Sequence, residues 1–139
     1  RNQANVGIGM LSSDIRRKKI NLRRLFFQAL SDNPEMRRRF SSAKLIKAPM
    51  GWGMPLGSSE RKCSGERFLL TGDAGSLIDP FTGEGIGNAL LSGKLAANVL
   101  QHAVEKQDFS ASFLSAYDQA LQNELQSELR LSHRIQRLV

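Results

Sequence analysis

The chain has 139 residues, enough for one domain with a real core, and 40% of them are hydrophobic, as in soluble globular proteins. No apolar run approaches membrane-spanning length, and Arg1-Asn2-Gln3 is not followed by the apolar stretch of a signal peptide. The net charge is +7, and the single cysteine, Cys63, excludes an intrachain disulfide and suits a reducing compartment.

The chain opens without an initiator Met, as though entering mid-domain. Val6-Gly7-Ile8-Gly9-Met10-Leu11 alternates apolar residues with glycine and predicts a strand. Gly7-Ile8-Gly9 lacks the third glycine and the preceding strand of a dinucleotide fingerprint. A helix is predicted from about Asp14 or Lys19 to Leu30, with Leu22, Leu25, Phe26, Ala29 and Leu30 on one face. Ser31-Asp32-Asn33-Pro34 ends it and caps a short helix over Glu35–Phe40, with Pro34 at the first position. Arg16-Arg17-Lys18-Lys19, Arg23-Arg24 and Arg37-Arg38-Arg39 hold most of the positive charge. They read either as a solvated face or as a surface for a membrane or an acidic redox partner. Aromatic content of 6% offers no stacking platform, so nucleic acid is not the expected partner.

Every second residue from Ile46 to Leu56 is apolar, which predicts an extended strand over Ala43–Leu56, bent or at an edge because of Pro49 and Pro55. Trp52 in its middle reads as a core residue. Gly57–Gly65 reads as a polar turn, with Cys63 incidental to function.

The richest stretch follows. Phe68-Leu69-Leu70 predicts a short buried strand that ends at Gly72, with Asp73 just beyond it. A glycine-bearing loop then leads to a helix from about Gly83, periodic in Ile86, Ala89, Leu90, Gly93, Ala97 and Leu100. An Asp past a strand end is a fixed acceptor for hydroxyls. Gly83, Gly85 and Gly87 let a ligand touch backbone, and the helix start aims N–H groups at electron-rich atoms. After a break at Glu105–Asp108, Asp108 is expected to cap a long final helix carrying Leu114, Leu121, Leu125, Leu129, Leu131, Ile135 and Leu138. That helix is long enough to pack outside the chain, for example in a homodimer. His102 and His133 fall on predicted helices away from the loop and read as structural or surface residues. No spacing of metal ligands is present, and no residue stands out as a catalytic acid.

Gly72-Asp73-Ala74, Asp79-Pro80, Gly83-Glu84-Gly85-Ile86-Gly87, Ser92-Gly93 and Ala96-Ala97 together resemble the second FAD-binding motif of the geranylgeranyl reductase family, itself related to the aromatic hydroxylase flavoproteins. Ser76 stands where the hydroxylase branch usually has a histidine. The resemblance implies an α/β fold class, here an α+β fragment: the C-terminal part of a two-domain FAD-binding flavoprotein fold, with few strands and three to four helices. It implies residues 1–57 as the remainder of a substrate domain, 58–107 as the second FAD-binding segment and 108–139 as a C-terminal helix, and it implies that the Ala43–Leu56 strand joins the two domains with Trp52 facing the flavin or the substrate cavity.

It further implies FAD as cofactor, held by Gly72, Asp73, Pro80, Gly83, Glu84, Gly85, Ile86 and Gly87. Asp73 would take the ribityl chain, Pro80 the flavin ring, and Gly83–Gly87 the pyrimidine edge. The strand–GxGxxG–helix for the ADP half is absent, so the expectation is a fragment of a larger flavoprotein, inactive alone. The parent would be a cytoplasmic FAD-dependent oxidoreductase, peripheral to the membrane, that reduces carbon–carbon double bonds of an apolar, isoprenoid-like molecule. The alternatives are an FAD-dependent hydroxylase fragment and a basic helical module that binds nucleic acid or protein.

Overall fold

The computed structural model describes residues 3–138. The chain divides into two units, Arg1–Gly53 and Met54–Val139.

The first unit is helical. Helix α1 spans Ser12–Arg17, α2 Leu22–Asp32 and α3 Pro34–Arg39. The single helix predicted from Asp14 or Lys19 to Leu30 is therefore broken in two. Lys19 takes a left-handed φ of 51°, and Asn21 starts a new helix by accepting the N–H of Arg24 at 2.9 Å. Asn33 closes the next junction, its side chain accepting from Glu35 and Met36 at 3.0 Å each, with Pro34 in the first turn as predicted. Phe26 is the buried residue of α2, edge-on to Phe27 with ring centroids 5.3 Å apart.

The strands predicted at Val6–Leu11 and Ala43–Leu56 do not form. Both segments are irregular, and Trp52 is 93% exposed, so it lies neither in a core nor in a cavity. A period-2 pattern becomes a strand only where backbone partners exist, and no described residue pairs with these two segments except at Leu56, which bridges Ile78 in parallel.

The second unit carries the core. Strand β1, Ser64–Gly65, pairs antiparallel with β2, Phe68–Leu69, around a tight turn with Arg67 at φ 60°. The polar turn predicted at Gly57–Gly65 thus ends in a strand, and Cys63 and Ser64 are buried. Phe68, by contrast, is exposed, so β2 is not the fully buried strand that its composition predicts. A 3-10 turn, Gly72–Gly75, precedes helix α4, Ile86–Lys106. Helix α5, Ala111–Leu121, runs through a π turn at Gln122–Gln126 into α6, Ser127–Gln136, which together make the predicted long final helix. Its cap is Ser110 rather than Asp108. The Ser110 hydroxyl accepts from Phe113 N–H at 3.2 Å, while Asp108 accepts from Ser110 N–H one step earlier.

The fold is thus mostly helical with a small two-stranded sheet, consistent with an α/β fragment of a larger flavoprotein. Cys63, Leu77, Ala96, Tyr117, Leu121, Leu125 and Leu129 form the core, with Leu91, Leu95 and Val99 of α4 packed against it. The period read from the sequence of α4 mixes two faces. Ser92, Ala96 and Ala103 are buried, while Ile86 and Leu90 are 76% and 73% exposed, with Gly93 and Ala97 exposed beside them. No described helix is long and apolar enough to cross a membrane.

Helix α5 is latched to the sheet by Asp118. Its carboxylate accepts the N–H of Cys63 at 2.7 Å and the hydroxyl of Ser64. Beside it the Tyr117 hydroxyl donates to the Leu70 carbonyl at 2.9 Å. Burial first, then the Cys63 and Asp118 charges, push the Tyr117 hydroxyl up to about 12, and Cys63 is raised too, chiefly by burial. Because the folded value lies above the unfolded one of about 10, stability is full below pH about 10 and declines toward about 12. Tyr117 is the only tyrosine. Phenolate absorbance should therefore titrate as one group near 12 in the folded chain and near 10 in urea. Coincident titrations would contradict a buried, bonded hydroxyl.

Candidate cofactor-binding site

Asp73 lies on the 3-10 turn, and the turn is held from behind. The N–H of Gly72 donates to the buried Ser92 hydroxyl at 3.0 Å, and that hydroxyl donates to the Ala89 carbonyl at 3.1 Å. Gly72 has a φ of 52°, and a Cβ on it would stand 3.0 Å from Ala89 Cβ. Only glycine meets both the left-handed backbone and the close approach to α4. Asn88 adds a second tie, its side-chain amide donating to the Leu77 carbonyl at 2.7 Å.

These ties leave Asp73 exposed at the front, and no described residue donates a hydrogen bond to its carboxylate. Gly85, the residue before α4, lies beside it: a Cβ there would be 3.4 Å from Asp73 Oδ1 and 3.1 Å from Ile78 Cγ1. The helix has no side-chain cap, and the N–H groups of Ile86, Gly87 and Asn88 have no acceptor among the described residues. A free carboxylate and a set of free N–H groups thus adjoin across a glycine. That corner can accept from hydroxyls and donate to electron-rich ring atoms at once.

The loop between them is organised by Asp79. Its Oδ1 accepts from Phe81 N–H at 3.0 Å, Thr82 N–H at 2.7 Å and Thr82 Oγ1 at 2.9 Å, and its own N–H donates to the Glu84 carbonyl at 2.8 Å. Burial works against the charged form, but the hydroxyl of Ser132 and the donors of Thr82 and Phe81 outweigh it and hold the Asp79 carboxyl below its ordinary range. Gly83 turns the loop with a φ of 74°. Glu84 is exposed, and its Oε1 lies 4.0 Å from where a Cβ on Gly87 would stand, over the first turn of α4, where a negative charge favours the helix. Pro80 is buried, and its carbonyl accepts from the Gln136 side chain of α6.

Of the residues expected from the sequence, Gly72, Asp73, Gly85, Ile86 and Gly87 gather at one corner. Gly83 and Glu84 shape the loop behind it, and Pro80 is seated against α6. The roles of Ser92, Asn88 and Asp79 escaped the sequence reading. Ser92 interrupts an apolar helix face, which is the one signal that pointed to it. A cleft of about 280 Å³ adjoins the loop and the start of α4, lined by Asp79, Thr82, Glu84, Gly87 and Asn88 and closed by Leu125, Glu128 and Leu129, whereas one of about 180 Å³ lies between Gly57–Arg61 and the α5–α6 helix; Asp73 lines neither. No metal-binding cluster occurs among the described residues.

The chain is 34% identical to a digeranylgeranylglycerophospholipid reductase of Methanocella arvoryzae over 99% of its own length and 33% of the relative's. This chain belongs to the geranylgeranyl reductase family. A second reductase of that name, from Methanosarcina mazei, is 35% identical over 78% of this chain and 25% of its own, and one from Methanopyrus kandleri is 28% identical over 96% and 34%. The chain therefore spans a quarter to a third of the length of these curated relatives. No family model matches it.

Gly72→Ala should lower the unfolding free energy by about 2 kcal/mol or more, since a left-handed φ alone costs an L-residue about 1–2 kcal/mol and the methyl also meets Ala89. Urea unfolding checks it. A stability equal to wild type would mean that the turn is not held against α4 as described.

Proposed function

We propose that this segment supplies the flavin-side half of an FAD site in a longer oxidoreductase that reduces carbon–carbon double bonds of an isoprenoid lipid. The observation that carries the reading is the unpartnered Asp73 carboxylate beside the uncapped start of α4. The relatives named as reductases of a digeranylgeranyl lipid support the substrate class. When bound, FAD supplies the hydride that such a reduction needs.

The residues present fit this cofactor. Asp73 would accept from hydroxyls of the ribityl chain, and being otherwise free it has its full acceptor capacity available. The N–H groups of Ile86 and Gly87 would face the pyrimidine edge and favour negative charge there. Gly85 keeps the space between the two open. Asp79 fixes the loop that sets where α4 begins, and Gly72 and Ser92 fix Asp73 relative to it. His102, bonded through Nδ1 to the Asn98 carbonyl, and His133 lie on α4 and α6 and take no part.

Asp73→Ala in the full-length protein should leave the thermal midpoint unchanged, because no bond is lost, and weaken FAD binding. A charge-assisted hydrogen bond contributes about 1.5–3 kcal/mol, so affinity should fall roughly 10- to 150-fold. Flavin retention equal to wild type would defeat the assignment.

Gly85→Ala tests the opening. Its φ of −133° suits any residue, so strain is absent, and the methyl would press only on Ile78 and the Asp73 carboxylate. Stability without FAD should change by less than about 1 kcal/mol, while FAD dissociates faster. Normal retention would show that the ligand does not approach this backbone.

A further inference from the structure

Charge is divided unevenly between the two units. Twelve lysines and arginines against three acids give residues 1–53 a net +9, whereas eight against ten leave residues 54–139 at −2. Nine of those cations fall between Ser12 and Phe40, and all nine are exposed. Among the described residues only one of the nine is paired, Arg17 with Asp14 at 2.7 Å. Helix stability accounts for only part of them: Arg16 and Arg17 end α1 and Arg37, Arg38 and Arg39 end α3, where cations suit the helix dipole. Arg23 and Arg24 occupy the first turn of α2, where no acid is present and positive charge opposes the helix dipole.

Apolar side chains are interleaved with these cations. Phe27, more than two-fifths exposed, lies one turn from Arg23 and Arg24 on α2, and Met36 lies one turn from Arg39 on α3. Cations with exposed apolar residues between them match a lipid interface, where headgroups take the charge and the acyl boundary takes the phenyl and thioether groups. A nucleic acid would use the cations and leave Phe27 and Met36 in water.

We propose that α1–α3 dock on the surface of an anionic phospholipid bilayer. The inference does not rest on the flavin reading, and its test involves no cofactor. Vesicles of phosphatidylcholine, alone or mixed with phosphatidylglycerol, are sedimented with the chain at low and raised salt. The expected result is binding to the anionic vesicles only, weakened by salt.

Arg37→Gln/Arg38→Gln/Arg39→Gln should lose roughly tenfold or more in affinity, given the contribution of each basic residue near such a surface. Arg23→Gln/Arg24→Gln should lose binding as well, while relieving α2 of an unfavourable charge, so that misfolding cannot explain its loss. Phe27→Gln should abolish the binding that survives at raised salt. Equal binding to both vesicle types would overturn the proposal, as would wild-type affinity in both arginine variants. Release from vesicles by duplex DNA at matched phosphate would do so too, and would assign the surface to nucleic acid.

Discussion

The site depends on one hydrogen bond, from the Gly72 N–H to the Ser92 hydroxyl. It is buried, and its acceptor sits on the face of α4 that packs into the core. Placing a hydroxyl there costs little because Ser92 both donates and accepts. In return the turn that bears Asp73 cannot slide along the helix, since Gly72 is already in contact with Ala89. The distance between carboxylate and helix start is thereby set by core packing and not by the loop that joins them. Asp79 then has only to shape that loop, which it does with bonds that are local in sequence.

The segments legible in the sequence are those whose structure is decided locally. Asn33-Pro34 caps and starts α3, and α4 begins beside Gly85. Asp73 stood out in the sequence because an acid after a strand end, followed by small residues, has few structural uses, and the fold leaves it exposed beside the start of α4. What could not be read was whatever needs a distant partner. The alternation in Ile46–Leu56 has strand period, but a strand is a relation between two segments, and the period says nothing of the second. Asp118 looks like any exposed helical acid until the fold brings Cys63 and Ser64 to it across more than fifty positions. The same holds for α4, whose apolar residues cover more than one face. Periodicity revealed the helix, but only packing revealed which face is Ser92 and Ala96 and which is Ile86 and Leu90.

The two units divide their chemistry as they divide their charge. The second is nearly neutral, with its polar groups spent on latching turns to helices. The first keeps few buried groups and carries its cations outward.

The Asp118 latch also bears on the order in which the chain folds. Helices α4 and α5 are neighbours in sequence, joined by a short turn with Gln107 in the left-handed region, and can pair after closing a small loop. The contact from Asp118 back to Ser64 closes a loop of 54 residues. On loop closure alone it is expected to follow the helical hairpin. During synthesis the strand that bears Ser64 emerges from the ribosome before the helix that will hold it. The Gly-Asp turn itself waits only for Ser92, twenty residues on, so α4 can fix it before the Asp118 latch exists.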